Sequence, residues 1–241
     1  MNRAAFDPSF KLASYNIHKA VGIDRRRDPL RILNVLSEVD ADIVILQEAD
    51  RRFGMRERTL PDILVEQHTD YVPVPFDVQN DSMGWHGNTI MVRRDIAVIE
   101  HDVLHIPYLE PRGVVTASVR LPAGPELTVF GMHLDLSGLW RMRQARAISA
   151  LARAAQKQRP TLLAGDLNEW RPNGGCLKEF ARHFPLLDCG RSFHSQRPLG
   201  RLDRIMHGAP LEAIEAGVHR SPLASIASDH LPVWATFRLP G

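Results

Sequence analysis

The chain has 241 residues, of which 44% are hydrophobic and 24% charged, and its formal net charge is +2 with a pI near 8.7. These values fit a globular chain with a sizeable core. The slight excess of base is too small to imply a polyanion partner and falls well short of the footprint of a dedicated nucleic-acid binder.

The first strand runs from Phe10 to Tyr15 and feeds a polar turn at Asn16-Ile17-His18-Lys19. Asp28-Pro29 then starts a helix as an N-cap followed by proline at the first helical position, with Ile32, Leu33, Leu36 and Val39 at helical spacing. Ala41 to Leu46 is a continuous apolar run, short enough for a strand buried on both faces, and it ends at Gln47-Glu48. Strand, helix, strand in this order predicts a βαβ start. Arg51 to Arg58 reads as a charged loop and Pro61 to His68 as a helix. Strands are predicted at Thr89 to Val92, Ile96 to Glu100, Val114 to Leu121 and Leu127 to Met132, with Pro122-Ala123-Gly124-Pro125 turning the last pair. Ser137 is placed to cap the longest helix, which runs to about Gln158 with Leu139, Ile148, Leu151 and Ala155 inward. Thr161 to Ala164 is a strand that breaks at Gly165-Asp166-Leu167-Asn168, and Arg201 to Met206 and Leu231 to Phe237 are the final strands.

No repeat, low-complexity segment or long linker divides this order, so one domain spanning 1–241 is expected. Cys176 and Cys189 offer neither a disulfide framework nor metal-ligand spacing. Met1 to Phe10 lacks an apolar core of signal-peptide length, and no run approaches the ~18 apolar residues of a membrane span. A soluble, cytoplasmic protein with reduced thiols and no obligate protein partner is the expectation.

Apolar strands repeatedly end in polar groups: Asn16, Glu48, His133, Asp166 with Asn168, and Asp229 with His230. Each has a bland reading. Glu48 can be a solvated strand end, Asn16 a local turn residue, Asp166 and Asn168 an Asx turn, and His133 a hydrogen-bonded core histidine. Asp203 lies between Leu202 and Arg204 inside a strand-like run, where a carboxylate is costly without a partner. His230 is a natural partner, since the pairing would hold it in one tautomer. The adjacent Asp229 and His230 can divide two tasks of hydrolysis, an oxygen ligand for a hard cation and a group titrating near neutrality.

Taken together, these segments resemble the endonuclease/exonuclease/phosphatase superfamily of metal-dependent phosphoesterases. The resemblance rests on Tyr15-Asn16, Leu46-Gln47-Glu48, Gly87-Asn88-Thr89-Ile90, Gly131-Met132-His133-Leu134, Gly165-Asp166-Leu167-Asn168, Arg201-Leu202-Asp203-Arg204-Ile205 and Ser228-Asp229-His230-Leu231-Pro232. Tyr15-Asn16-Ile17-His18-Lys19 looks like the small bacterial branch of the superfamily. The resemblance implies an α/β (α+β), DNase I-like four-layer sandwich of two packed mixed sheets flanked by helices. It implies a divalent cation held by Glu48, Asn16 and Asp229. It also implies Asp166 acting on the attacking water, Asn168 on the phosphate, and His230, held by Asp203, on a phosphate oxygen or in proton transfer. His133 would assist the leaving group or phosphate, and Arg112 resembles a phosphate-contacting arginine. Asn88, in the Gly87-Asn88 motif, is grouped with the substrate-binding residues.

Oxygen ligands from Asn, Glu and Asp suit Mg²⁺ or Mn²⁺ better than Zn²⁺. The function expected is hydrolysis by water of a phosphodiester in a nucleic acid or a smaller molecule, the phosphate-ester partner being a nucleic acid, a nucleotide or, under the alternative that follows, a phospholipid headgroup. A phosphatase or phospholipid headgroup hydrolase is the alternative, followed by a binding module without catalysis. Few lysines and no disulfides depart from the duplex-DNA nucleases of the superfamily. Arg25 to Arg27, Arg51 to Arg58 and Arg141 to Arg146 are read as solvated surface diluted by neighbouring acids.

Overall fold

Apolar runs without alternation need cover on both faces, and they find it in two stacked sheets. The computed structural model describes residues 9–51, 57–76, 78, 81–122 and 124–239. In chain order the elements are β1 (Ser9–Asn16), α1 (Pro29–Val39), β2 (Ile43–Gln47), α2 (Asp62–His68), β3 (Tyr71–Pro73), β4 (Thr89–Arg93), β5 (Ala97–Leu104), β6 (Val114–Arg120), β7 (Glu126–His133), α3 (Gly138–Gln156), β8 (Thr161–Asp166), α4 (Gly175–Ala181), β9 (Asp203–His207), β10 (Glu212–Val218), α5 (Ala224–Ala227) and β11 (Val233–Arg238). The first sheet has the order β10-β11-β1-β2-β4-β3, and the second β5-β6-β7-β8-β9. Both are mixed. β1 and β2 run parallel across the α1 crossover, β7 and β8 run parallel across α3, and the other pairings are antiparallel.

Three apolar clusters account for four layers. Leu12, Ile43, Ile45 and Phe237 of the first sheet meet Val115, Val129, Leu162 and Ile205 of the second in a core between the sheets. Tyr15, Val44 and Leu46 on the outer face of the first sheet pack under Ile32, Leu33 and Leu36 of α1. Phe130, Met132 and Leu163 on the outer face of the second pack under Ile148, Ala152 and Phe180 of α3 and α4. β2 serves two of these clusters at once and is buried at every position, which explains its unbroken apolar run. The four-layer arrangement expected from the sequence is therefore the one observed.

Three details of the expected elements are corrected. Asp28 caps α1 by accepting from the Arg31 amide at 3.1 Å, but the Ser137 side chain makes no capping bond to α3. The Asp135 carboxylate instead receives the Ser137 amide at 2.9 Å. Ile148 of α3 faces inward as expected, but the buried stripe is Gln144, Ala145, Ile148, Ser149 and Ala152. Leu139 and Leu151 face outward, at 63% and 41% exposure. Asp203 is the first residue of β9 and not an interior position. β3, β10, α4 and α5 are additional elements. Within the predicted charged loop 51–58 and the predicted turn 122–125, residues 52–56 and 123 lie outside the described set.

Candidate active site

Parallel strands end on the same edge of their sheet, so each parallel pair delivers two chain ends to one rim. Asn16, the last residue of β1, lies opposite Gln47, and Glu48 follows directly. His133, the last residue of β7, lies opposite Asp166, the last residue of β8. β9 runs antiparallel to β8 and therefore begins where β8 ends, which sets Asp203 opposite Asp166. A hydrogen bond from Asn16 Nδ2 to Asp166 Oδ2 at 3.1 Å joins the rims of the two sheets.

Gly165, with φ of +154°, lets β8 turn into this rim, and a Cβ there would fall 1.8 Å from the Met132 carbonyl oxygen. Asp166 Oδ1 accepts the Asn168 amide at 2.9 Å. The Asx turn anticipated as the bland alternative is thus present, and it aims the other oxygen of Asp166 into the site. Asn168 Nδ2 donates to the Leu134 carbonyl at 2.9 Å.

His230 lies between two carboxylates. Its Nδ1 is 2.8 Å from Asp203 Oδ2 and its Nε2 is 3.7 Å from Asp166 Oδ2. Ser192 Oγ donates to the same Asp203 oxygen at 2.5 Å. Burial opposes charge on the ring, but Asp203, Asp166 and Asp229 outweigh it and hold the His230 pKa up at about 10. At neutral pH the ring is an imidazolium, and both of its nitrogens donate. His133 is the opposite case. Burial, aided by Arg112 and opposed by Asp166 and Glu48, pushes its pKa down to about 4. The neutral ring suits its neighbours: Arg112 Nη1 lies 2.9 Å from Nδ1 and 3.0 Å from Nε2, and a guanidinium can only donate. Asp166 Oδ2 lies 3.4 Å from His133 Nε2.

The other half of the site is more open. Glu48 sits at φ of +55°, a conformation that residues other than glycine adopt uncommonly and one that recurs at functional sites. Gly87, at φ of +81°, backs this turn, with the Ala49 amide donating to its carbonyl at 2.9 Å. Lys19 Nζ donates to Glu48 Oε2. Burial raises the Glu48 carboxyl, while His133 and Lys19 pull it down to a net value of about 2. Since His133 is neutral above about 4, Lys19 is the counter-charge that persists at neutral pH. Asn16 Oδ1 accepts the His18 amide at 3.1 Å, and His18 Nδ1 lies 3.9 Å from Asp229 Oδ1. Glu48, Lys19, His86, Glu110 and Arg112 line one cleft.

The structure therefore gathers Asn16, Glu48, His133, Asp166, Asn168, Asp203, Asp229, His230 and Arg112 around one rim. Asn88 is behind it. Its Nδ2 donates to the Trp85 and Gly113 carbonyls at 3.2 and 3.1 Å, tying two loops together, and its Oδ1 is buried with no partner among the described residues. Trp85 packs half-buried against the inter-sheet core and tilts onto His86 at 4.2 Å, so only the histidine reaches the cleft. Lys19 and Ser192 were assigned no role from the sequence. Lys19, one of four lysines in the chain, stands inside the Tyr15–Lys19 motif and could have been noticed; Ser192 carries no local signal.

Two places could hold a cation. Asp166, Asp203 and His230 offer ligand atoms within 4.8 Å of one another, but His230 spends one nitrogen on Asp203 and is charged. Glu48 is the better seat. Its carboxylate stays ionised, already carries a cationic partner in Lys19, and shares its rim with the oxygen donors Asn16 and Asp229, a set that fits a hard divalent ion.

The sequence model of the Endonuclease/Exonuclease/phosphatase family matches residues 13–230, and the chain belongs to that family. It is 30% identical over 214 residues to the uncharacterized protein YbhP of Escherichia coli K12, covering 82% of this chain and 84% of YbhP. It resembles Danio rerio TDP2 in complex with a single-stranded DNA product, at TM-score 0.74 and 18% identity over 96% of this chain and all of the other. It also resembles the human Nocturnin catalytic domain with bound sulfate, at TM-score 0.72 and 18% identity over 98% and 96%. The two structural likenesses establish the DNase I-like fold.

Proposed function

We propose, taking family membership as the premise, that this chain is a divalent-metal-dependent phosphodiesterase that hydrolyses its substrate by direct attack of water. The observation that carries the reading is the buried Asp166–His230–Asp203 array facing Glu48 across one rim. Asp166, fixed by Asn16 and the Asn168 amide, takes the proton of the attacking water as the new P–O bond forms and the P–O bond to the leaving group breaks, and the departing alkoxide takes up a proton from solvent. His230, charged and oriented by Asp203 and Ser192, donates to a non-bridging phosphate oxygen. Arg112 and His133 bind the phosphate from the cleft side, and Asn168 completes the cradle. Glu48, Asn16 and Asp229 would hold Mg²⁺ or Mn²⁺, which would supply charge to neutralise the phosphate and the leaving oxygen.

The sulfate bound by Nocturnin and the DNA product bound by TDP2 support a phosphate ester as ligand on this fold. Turnover of bis(p-nitrophenyl) phosphate with Mg²⁺ or Mn²⁺ is the test. Activity lost in both Asp166→Asn and His230→Gln supports the reading, and wild-type rates in either variant defeat it. A monoester consumed faster than any diester would favour a phosphatase instead.

A further inference from the structure

The most exposed large apolar side chains of the described residues are gathered around this site. Leu109, Leu136, Leu139, Trp170 and Leu199 are 60–63% exposed, and no other described large hydrophobic residue reaches that level. They are far apart in sequence but are tied to one another and to the catalytic rim. The Leu109 amide donates to Asp135 Oδ2 at 3.1 Å, beside Leu136 and two residues from His133. Arg141 reaches from the Leu136 carbonyl, at 2.6 Å, to Glu169 Oε2, at 3.2 Å, next to Trp170. Trp170 packs edge-on against Phe193, whose ring lies 4.8 Å from that of His230. The Leu199 amide donates to the Phe193 carbonyl at 2.6 Å.

We infer that this collar seats the active site on an anionic lipid surface, with the leucines entering the acyl boundary and Trp170 at headgroup level. Isolated exposed leucines are ordinary, but a connected group around a site marks an interaction surface. Four of the five are leucines, which offer a nucleobase neither a stacking face nor a hydrogen bond, so a single-stranded nucleic acid fits less well. Two exposed arginines are interleaved with the collar, Arg171 after Trp170 and Arg197 before Leu199, and neither has an ion pair among the described residues. Basic side chains beside tryptophan and leucine are the composition that binds anionic headgroups. The substrate this implies, a phosphodiester carried on a lipid, rests on the phosphodiesterase reading; the docking itself does not.

Sedimentation with vesicles of phosphatidylcholine, with and without phosphatidylglycerol, tests the docking without turnover or metal. Wild-type protein is expected to sediment with the phosphatidylglycerol vesicles. Leu136→Ser/Leu139→Ser/Leu199→Ser lowers partitioning by about tenfold or more, and Arg171→Gln/Arg197→Gln by about tenfold on the anionic vesicles alone. Ile63→Ser, an exposed isoleucine of α2 that is not one of the collar residues, leaves partitioning unchanged. Melting temperatures confirm that each variant is folded; should the triple variant unfold, Leu139→Ser and Leu199→Ser are read singly. Absent wild-type binding, or binding untouched by the collar changes, overturns the inference. So does collar-dependent capture of a single-stranded oligonucleotide with no vesicle binding. Vesicle binding by a chain that turns over no diester would defeat the enzymatic reading and leave the docking intact.

Discussion

The β1–β2 and β7–β8 pairs are one topological device used twice, yet their ends behave differently. The first pair ends at Glu48, whose side chain is 24% exposed and bonded to an ammonium. The second ends at His133 and Asp166, with side chains 3% and 2% exposed. Solvent and Lys19 let Glu48 keep its charge. Behind the second pair, charge survives only where it is compensated, as in the His230 imidazolium between Asp166 and Asp203, and the less well compensated His133 goes neutral. Position in the sheet brings the groups together, and burial assigns their chemistry.

The strongest way to break this contrast is at the buried pole. Asp166→Asn should lower kcat by roughly a thousandfold, measured on an activated diester. Asp203→Asn should cost about a hundredfold in kcat. It should also cost about 3 kcal/mol of stability, because it strips a buried charge of its partner, read from urea unfolding. At the open pole, Glu48→Gln should raise the divalent-ion concentration for half-maximal activity by about tenfold or more and change stability little.

The two histidines sharpen the comparison through pH. His230 titrates at about 10 when folded, above its ordinary 6.5. Its contribution to stability is therefore full below 6.5 and fades as pH rises towards 10. His133 titrates at about 4 when folded, so acid protonates the unfolded chain first, and stability is lost as pH falls from 6.5 towards 4. Melting curves across that range should show the alkaline slope flattened in His230→Gln and the acid slope flattened in His133→Gln. The reverse assignment would contradict the burial argument. The smallest effect belongs to α3. Leu151→Ser should shift stability by no more than about 0.5 kcal/mol, whereas Ile148→Ala, on the true inward stripe, should cost about 3 kcal/mol.

Much of this architecture was legible in the sequence, because a strand buried on both faces leaves an unbroken apolar run and its polar end marks the rim. Asn16, Glu48, His133 and Asp166 were all found that way. The elements that escaped have weak local patterns. β10 is an exposed strand at the sheet edge, and α4 is a seven-residue helix with a glycine at its N-cap and no side-chain cap. Asp203 was recognised as needing a partner, but its place at the head of β9 depends on an antiparallel pairing that no local signal encodes. Ser192 was invisible for a similar reason: its bond to Asp203 is a product of tertiary folding alone. Leu139 and Leu151 were misplaced because hydrophobicity suggested the inward stripe of α3, whereas the buried side carries Gln144, Ala145, Ile148, Ser149 and Ala152.

The division into a cation pole and a buried acid–base pole is tested most directly by anomalous diffraction from a crystal soaked in Mn²⁺. The account predicts a manganese peak at coordination distance, about 2.0–2.2 Å, from a Glu48 carboxylate oxygen, with Lys19 displaced from it. A peak enclosed by Asp166, Asp203 and His230, with Glu48 still bound to Lys19, would contradict it.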